Sequence, residues 1–148
     1  MPSPSTRHVF VYGTLRKGEE RDINRLQPTP QWVGRARVEG VMHHLGSYPG
    51  LVLGAPGTVH GEVYAVSPEL ERVLDEIEEV WPQQTGEYAK RVVVVQLEQV
   101  DAGSDHAGSH DAGTELLCVL YEIAPERTQG KPVIPGGDWV LHRSLRRT

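Results

Sequence analysis

The chain has 148 residues, a single cysteine, and twenty acidic against fifteen basic residues, giving a formal charge of −5. That length suits one folding unit, 1–148, built around one core, and the acidic balance offers no general attraction to nucleic-acid backbones or anionic lipid. Cys118 has no partner for an internal disulfide, no run is long enough to span a membrane, and no secretory leader opens the chain, so a cytoplasmic location is expected.

Sixteen glycines, eleven prolines and several Val-rich runs predict short strands joined by tight turns. Residues 1–6 are expected to fray, and Arg7 to Tyr12 forms the first predicted strand. Its apolar run stops at Gly13 and turns polar through Arg16-Lys17-Gly18. Backbone N–H groups leaving a sheet at such a point are available to a ligand's oxygen. Gly13 and Gly18 have the spacing of a phosphate loop, but Glu19-Glu20 stand where that motif needs Lys and Ser or Thr, which argues against a nucleotide. The plainer reading of Gly13 is a turn at a strand end.

Glu19 to Gln27 is predicted as a short helix with Ile23 and Leu26 inward, ended by Pro28 and Pro30. Trp32 to Met42 reads as an extended segment with Gly34 and Gly40 at bends or bulges, followed by a turn and a short strand through Leu53. The neighbouring His43 and His44 point to opposite faces of an extended chain and are poor joint metal ligands. Gly54 to Gly57 is a predicted turn, and Thr58 to Val66 a strand with His60, Glu62 and Tyr64 on one face.

The clearest helix runs from Ser67 to Glu79, with Ser67 as cap, Pro68 at the first helical position, and Leu70, Val73, Leu74 and Ile77 on one face. Its last turn collects Glu76, Glu78 and Glu79 at the negative end of the helix dipole, where they are unfavourable. On a helical wheel Glu78 and Glu69 flank the apolar stripe equally, so periodicity does not choose between them as a pocket-facing acid. A solvated acidic face is the alternative. Val80 to Glu87 reads as loop, and Tyr88 to Glu98 as a strand apolar on both faces and hence interior. Asp101 to Gly113, with His106 and His110, reads as a flexible hairpin loop whose glycines oppose the helical spacing a metal pair would need. Glu115 to Ile123 is the last predicted strand, and Pro132 to Trp139 an ordered turn before a short basic tail.

Val11-Tyr12-Gly13-Thr14-Leu15-Arg16, Gly46-Ser47-Tyr48-Pro49-Gly50-Leu51-Val52, Val59-His60-Gly61-Glu62-Val63-Tyr64, Leu74-Asp75-Glu76-Ile77-Glu78 and Tyr88-Ala89-Lys90-Arg91 stand in that order, closed by Gly137-Asp138-Trp139. In this order the chain resembles the gamma-glutamylcyclotransferase-like family, especially its gamma-glutamylamine cyclotransferase or AIG2-like branch. The resemblance implies an α+β fold, a small mixed β-barrel with a few flanking helices. It implies a pocket between the first loop and the acidic helix, where the segment Tyr12, Gly13, Thr14 and Leu15 holds a small-molecule gamma-glutamyl substrate largely through backbone groups. It further implies Glu78 as the catalytic acid-base and Tyr88 and Tyr121 as pocket-lining residues, with no metal and no cofactor. Two departures bear on substrate preference: Glu79 stands where glycine is common, and Asp101 to Gly113 looks inserted.

Those residue types suit the chemistry. A gamma-glutamyl compound carries its own nucleophile, so closing a five-membered lactam mainly requires the protein to fold the substrate, supply one carboxylate for proton transfer and offer N–H donors to the oxyanion. Two other readings remain. One is a non-catalytic pocket for an amino-acid-like metabolite. The other is hydrolysis through Ser47 with His43 or His60, for which no nucleophile elbow is present.

Overall fold

The computed structural model describes residues 7–19, 21–46, 48–78, 88–98 and 115–146. The expectations for residues 1–6, Ser47, Glu79, the loop Val80 to Glu87 and the 101–113 loop with its two histidines lie outside the described residues.

Strand β1 (Arg7–Val11) alternates its side chains between two cores, as a strand covered on both sides must. Phe10 points into a core shared with Val38, Leu51, Val63, Val95 and Leu120. Val9 and Val11 point the other way, among Tyr64, Leu70, Leu74 and Tyr121. The first set draws on every strand and is the barrel interior. The second lies between the barrel wall and helix α1 (Pro68–Ile77).

β1 pairs antiparallel with β3 (Pro49–Val66), which pairs with β2 (Gln31–His44). β2 meets β4 (Tyr88–Leu97), β4 meets β5 (Glu115–Ile123), and β5 closes the barrel by lying parallel to β1, with Val9 opposite Val119. Gly34 and Gly40 do mark irregularities: the β2–β3 register shifts at both places. Opposite the second, Leu53 pairs with Gly40 and Thr58 with Glu39, so Gly54 to Gly57 protrude as a four-residue turn within one long strand.

Three expectations need correction. Glu19 to Gln27 is not a helix but a chain of i to i+3 turns ending in a single 3-10 turn at Ile23–Arg25. Asp22 takes the N–H groups of Gly18 and Asn24 on its carboxylate, at 2.8 and 2.9 Å, so its side chain competes with the helical ladder. Ile23 is buried as expected. β4 is not interior on both faces, for Val95 is buried while Val92 and Val94 are each about half exposed, at 52% and 51%. A barrel strand has one inward face, and the outer face is dry only where a helix covers it. The basic tail is a helix, α2 (Trp139–Arg146), opened by Asp138, whose Oδ1 accepts from Leu141 N at 3.1 Å. Its Trp139 closes one part of the barrel core.

Candidate active site

The chain leaves β1 at Tyr12, and the tyrosine ring remains in the barrel. Its buried hydroxyl donates to the Tyr121 carbonyl at 2.7 Å and accepts from Leu51 N at 3.3 Å, which pins the loop to β5 and β3. Burial, with the Glu78 carboxylate next in effect, pushes this phenol far above its ordinary value. It is a fixed neutral anchor.

Beyond it the loop turns tightly, and its carbonyls are consumed from behind. Gly13 O accepts from Arg16 N, Thr14 O from Arg21 N and Leu15 O from Ile23 N, at 3.0, 2.8 and 2.9 Å. Among the described residues no acceptor takes the N–H groups of Gly13, Thr14 or Leu15. Gly13 is required for close approach: a Cβ there would lie 2.6 Å from Pro49 Cγ.

The loop is clamped from below by charge. Arg16 is buried, with Nε 3.0 Å from Glu62 Oε2 and Nη1 2.9 Å from Asp138 Oδ1. Glu62 also accepts from Lys17 N at 2.9 Å and from the Tyr64 hydroxyl at 3.0 Å. Sequence reading missed this cluster. Its available signal was an acid at Glu62 in a strand whose opposite face carries Val59, Val63 and Ala65.

Helix α1 brings the acid. Ser67 caps it by accepting from Leu70 N at 3.2 Å, and Glu78 ends it with its N–H on Leu74 O at 2.9 Å. Leu70 and Leu74 seat the helix on the barrel, and its outer acids are tied down. Glu71 accepts from Arg7 Nε and Nη2, at 3.2 and 3.0 Å, as well as from Lys90 Nζ. Asp75 accepts Lys90 Nζ at 3.0 Å and the Tyr121 hydroxyl at 2.7 Å. Glu71 and Asp75 are thus structural, correcting the picture of a uniformly solvated acidic face. Burial of the Tyr121 phenol, followed by its bond to Asp75, raises its pKa strongly, and Glu78 adds to the effect.

A cavity of about 330 Å³ opens between loop and helix. All the residues that the resemblance nominated line it: Tyr12, Gly13, Thr14, Leu15, Tyr88, Tyr121 and Glu78. Glu69, the other flank of the helical stripe, is exposed and does not. Arg21, Tyr48 and Pro49 also line the cavity and were not anticipated, because they come from turns and edges without periodicity; Ile77 joins them from the apolar stripe of α1.

Known proteins agree with this architecture. The chain is 29% identical over 129 residues to the gamma-glutamylaminecyclotransferase of Mus musculus, covering 79% of this chain and 78% of that one. It is 34% identical over 86 residues to the gamma-glutamylcyclotransferase family protein YtfP of Escherichia coli, covering 57% of this chain and 70% of that protein. A named gamma-glutamylcyclotransferase candidate of Vibrio cholerae is 46% identical over 74 residues, which span 49% of this chain and 62% of that protein. The crystal structure of an AIG2-like protein from Mus musculus superposes with a TM-score of 0.65 at 24% identity, covering 90% of this chain and 88% of that one, a likeness of fold. The profile of the family described as gamma-glutamyl cyclotransferase, AIG2-like, matches residues 9–141, and the chain belongs to that family.

Proposed function

We propose that this cavity cyclises a gamma-glutamyl amine or peptide, releasing 5-oxoproline and a free amine without a cofactor. The substrate's α-nitrogen attacks its own γ-carbonyl carbon, forming the lactam C–N bond, and the original amide C–N bond breaks. Glu78 accepts the proton the α-nitrogen sheds and delivers one to the departing nitrogen. The N–H groups of Gly13, Thr14 and Leu15 face the oxygen that becomes anionic. Tyr88 and Tyr121 wall the substrate into its folded shape, where intramolecular attack is fast.

The single observation that carries this reading is the position of Glu78 in the same cavity as loop N–H groups that have no acceptor among the described residues. A proton carrier and an oxyanion cradle are the two services the reaction needs. Glu78→Gln removes only the proton carrier. It is expected to keep the native circular dichroism spectrum while 5-oxoproline release from a panel of gamma-glutamyl compounds, read by mass spectrometry, falls by at least about a hundredfold. Undiminished release by Glu78→Gln would remove Glu78 from the mechanism. Saturable binding across the panel without release by the unaltered protein would favour a metabolite-binding module instead.

A further inference from the structure

Among the described residues two charged side chains line the cavity, Glu78 and Arg21. The other arginines whose ion pairs are defined are already committed: Arg7 to Glu71, Arg16 to Glu62 and Asp138, and Arg91 to Glu122. Arg21 has no carboxylate partner among the described residues. Its backbone is nevertheless fixed, because Arg21 N donates to Thr14 O at 2.8 Å and so holds the residue beside the loop. A guanidinium held at a cavity wall without a counter-ion among the described residues matches a ligand carboxylate, which it can grip with two parallel N–H bonds.

Depth tells which carboxylate. Gly13 and Leu15 are buried and Glu78 is partly buried, whereas Arg21 is exposed. The α-amine and γ-carbonyl must reach Glu78 and the loop N–H groups, so the gamma-glutamyl head occupies the deep end. The amine being released trails outward, past Arg21. We propose that Arg21 is a specificity residue that reads a carboxylate on the departing amine, so that gamma-glutamyl amino acids are preferred over gamma-glutamylamines lacking that group. This rests on the cyclotransferase reading of the same cavity.

Gamma-glutamylalanine and gamma-glutamylethylamine differ by that one carboxylate. The unaltered chain should show the higher kcat/KM with the alanine compound. In Arg21→Gln the ratio of the two kcat/KM values should fall roughly five- to tenfold, mainly through KM, with partial recovery in Arg21→Lys, which keeps the charge but not the fork. Dissociation constants for both compounds, measured by calorimetry in Glu78→Gln with and without Arg21→Gln, should show the same change in ratio. An unchanged ratio overturns the proposal. So does an equal loss on both compounds, which would put Arg21 on the gamma-glutamyl head, and so does failure of the alanine compound to bind. Failure of the cyclotransferase reading looks different: no 5-oxoproline from either compound, while the calorimetric preference and its dependence on Arg21 persist.

Discussion

Tyr12 and Gly13 are neighbours whose contributions separate cleanly. Tyr12 acts through a hydroxyl that is used up inside the barrel, and Gly13 through the absence of a side chain against Pro49. Tyr12→Phe removes the buried hydroxyl that bonds the Tyr121 carbonyl and the Leu51 N–H, so thermal or denaturant unfolding should register a loss of about 1–3 kcal/mol. Gly13→Ala has a different signature. Its Cβ would lie 2.6 and 2.9 Å from two atoms of the Pro49 ring, which cannot rotate away, so the loop itself must move. A stability loss of about 1–3 kcal/mol is expected for such overpacking, together with a fall in 5-oxoproline release that exceeds that of Tyr12→Phe. Turnover of Gly13→Ala at the unaltered rate would show that the close approach of loop and Pro49 does not set the site. Cys118 makes a third case: burial pushes its thiol up to about 12, so alkylation by iodoacetamide at neutral pH should proceed only after unfolding.

At the scale of elements, α1 is both the most legible part of the sequence and the one whose charges sequence reading understood least. Its Ser-Pro start and its apolar spacing carry the signal for its existence. Its docking depends on Arg7, Lys90 and Tyr121 from three different strands, and no local pattern reports such partners. The same limit separates Glu78 from Glu69, which periodicity left equivalent and which only the barrel wall distinguishes. β4 misled for a related reason, since an apolar run says nothing of whether a helix covers its outer face. α2 was missed because Arg143, Arg146 and Arg147 made its composition read as tail, although Asp138 and Trp139 offered a cap and an anchor. The docking of α1 has a pH signature. Burial raises the Glu71 carboxyl, but bonds from Arg7 and Lys90 outweigh it, so its folded pKa lies below the ordinary 4.5. A lowered folded pKa contributes stability that is present above 4.5 and is lost as pH falls through the folded value. The melting temperature of the unaltered chain should therefore fall on acidification across that range. Lys90→Met should lower it at neutral pH and flatten the acid limb; an unchanged acid limb would assign the acid sensitivity to other carboxyls, such as the depressed Asp138 and Asp22.

Across the whole molecule, the barrel, the loop and α2 meet at Arg16. Its guanidinium joins Glu62 of β3 to Asp138 at the start of α2, with the Arg16 and Glu62 side chains only 8% and 7% exposed. A pair this dry contributes little net stability compared with an apolar replacement of both members, but losing one member strands the other. Arg16→Met leaves Glu62 with two donors, Lys17 N and the Tyr64 hydroxyl, and no opposing charge. The two surviving hydrogen bonds soften the penalty, so about 3 kcal/mol is expected, the low end for a broken buried pair. Glu62→Gln in the Arg16→Met background removes the stranded charge and should recover part of that loss, a coupling that a double-mutant cycle measures directly. Activity supplies the second readout. Neither Arg16 nor Glu62 lines the cavity, so a fall in 5-oxoproline release by Arg16→Met under conditions where it is fully folded would mean that the pair positions the loop N–H groups. If that variant loses stability but turns over at the unaltered rate, the pair holds the barrel to α2 and nothing more. The loop would then owe its shape to the Tyr12 hydroxyl, Pro49 and the backbone bonds that its carbonyls accept from Arg16, Arg21 and Ile23, and Tyr12→Phe and Gly13→Ala should each lower turnover where Arg16→Met does not.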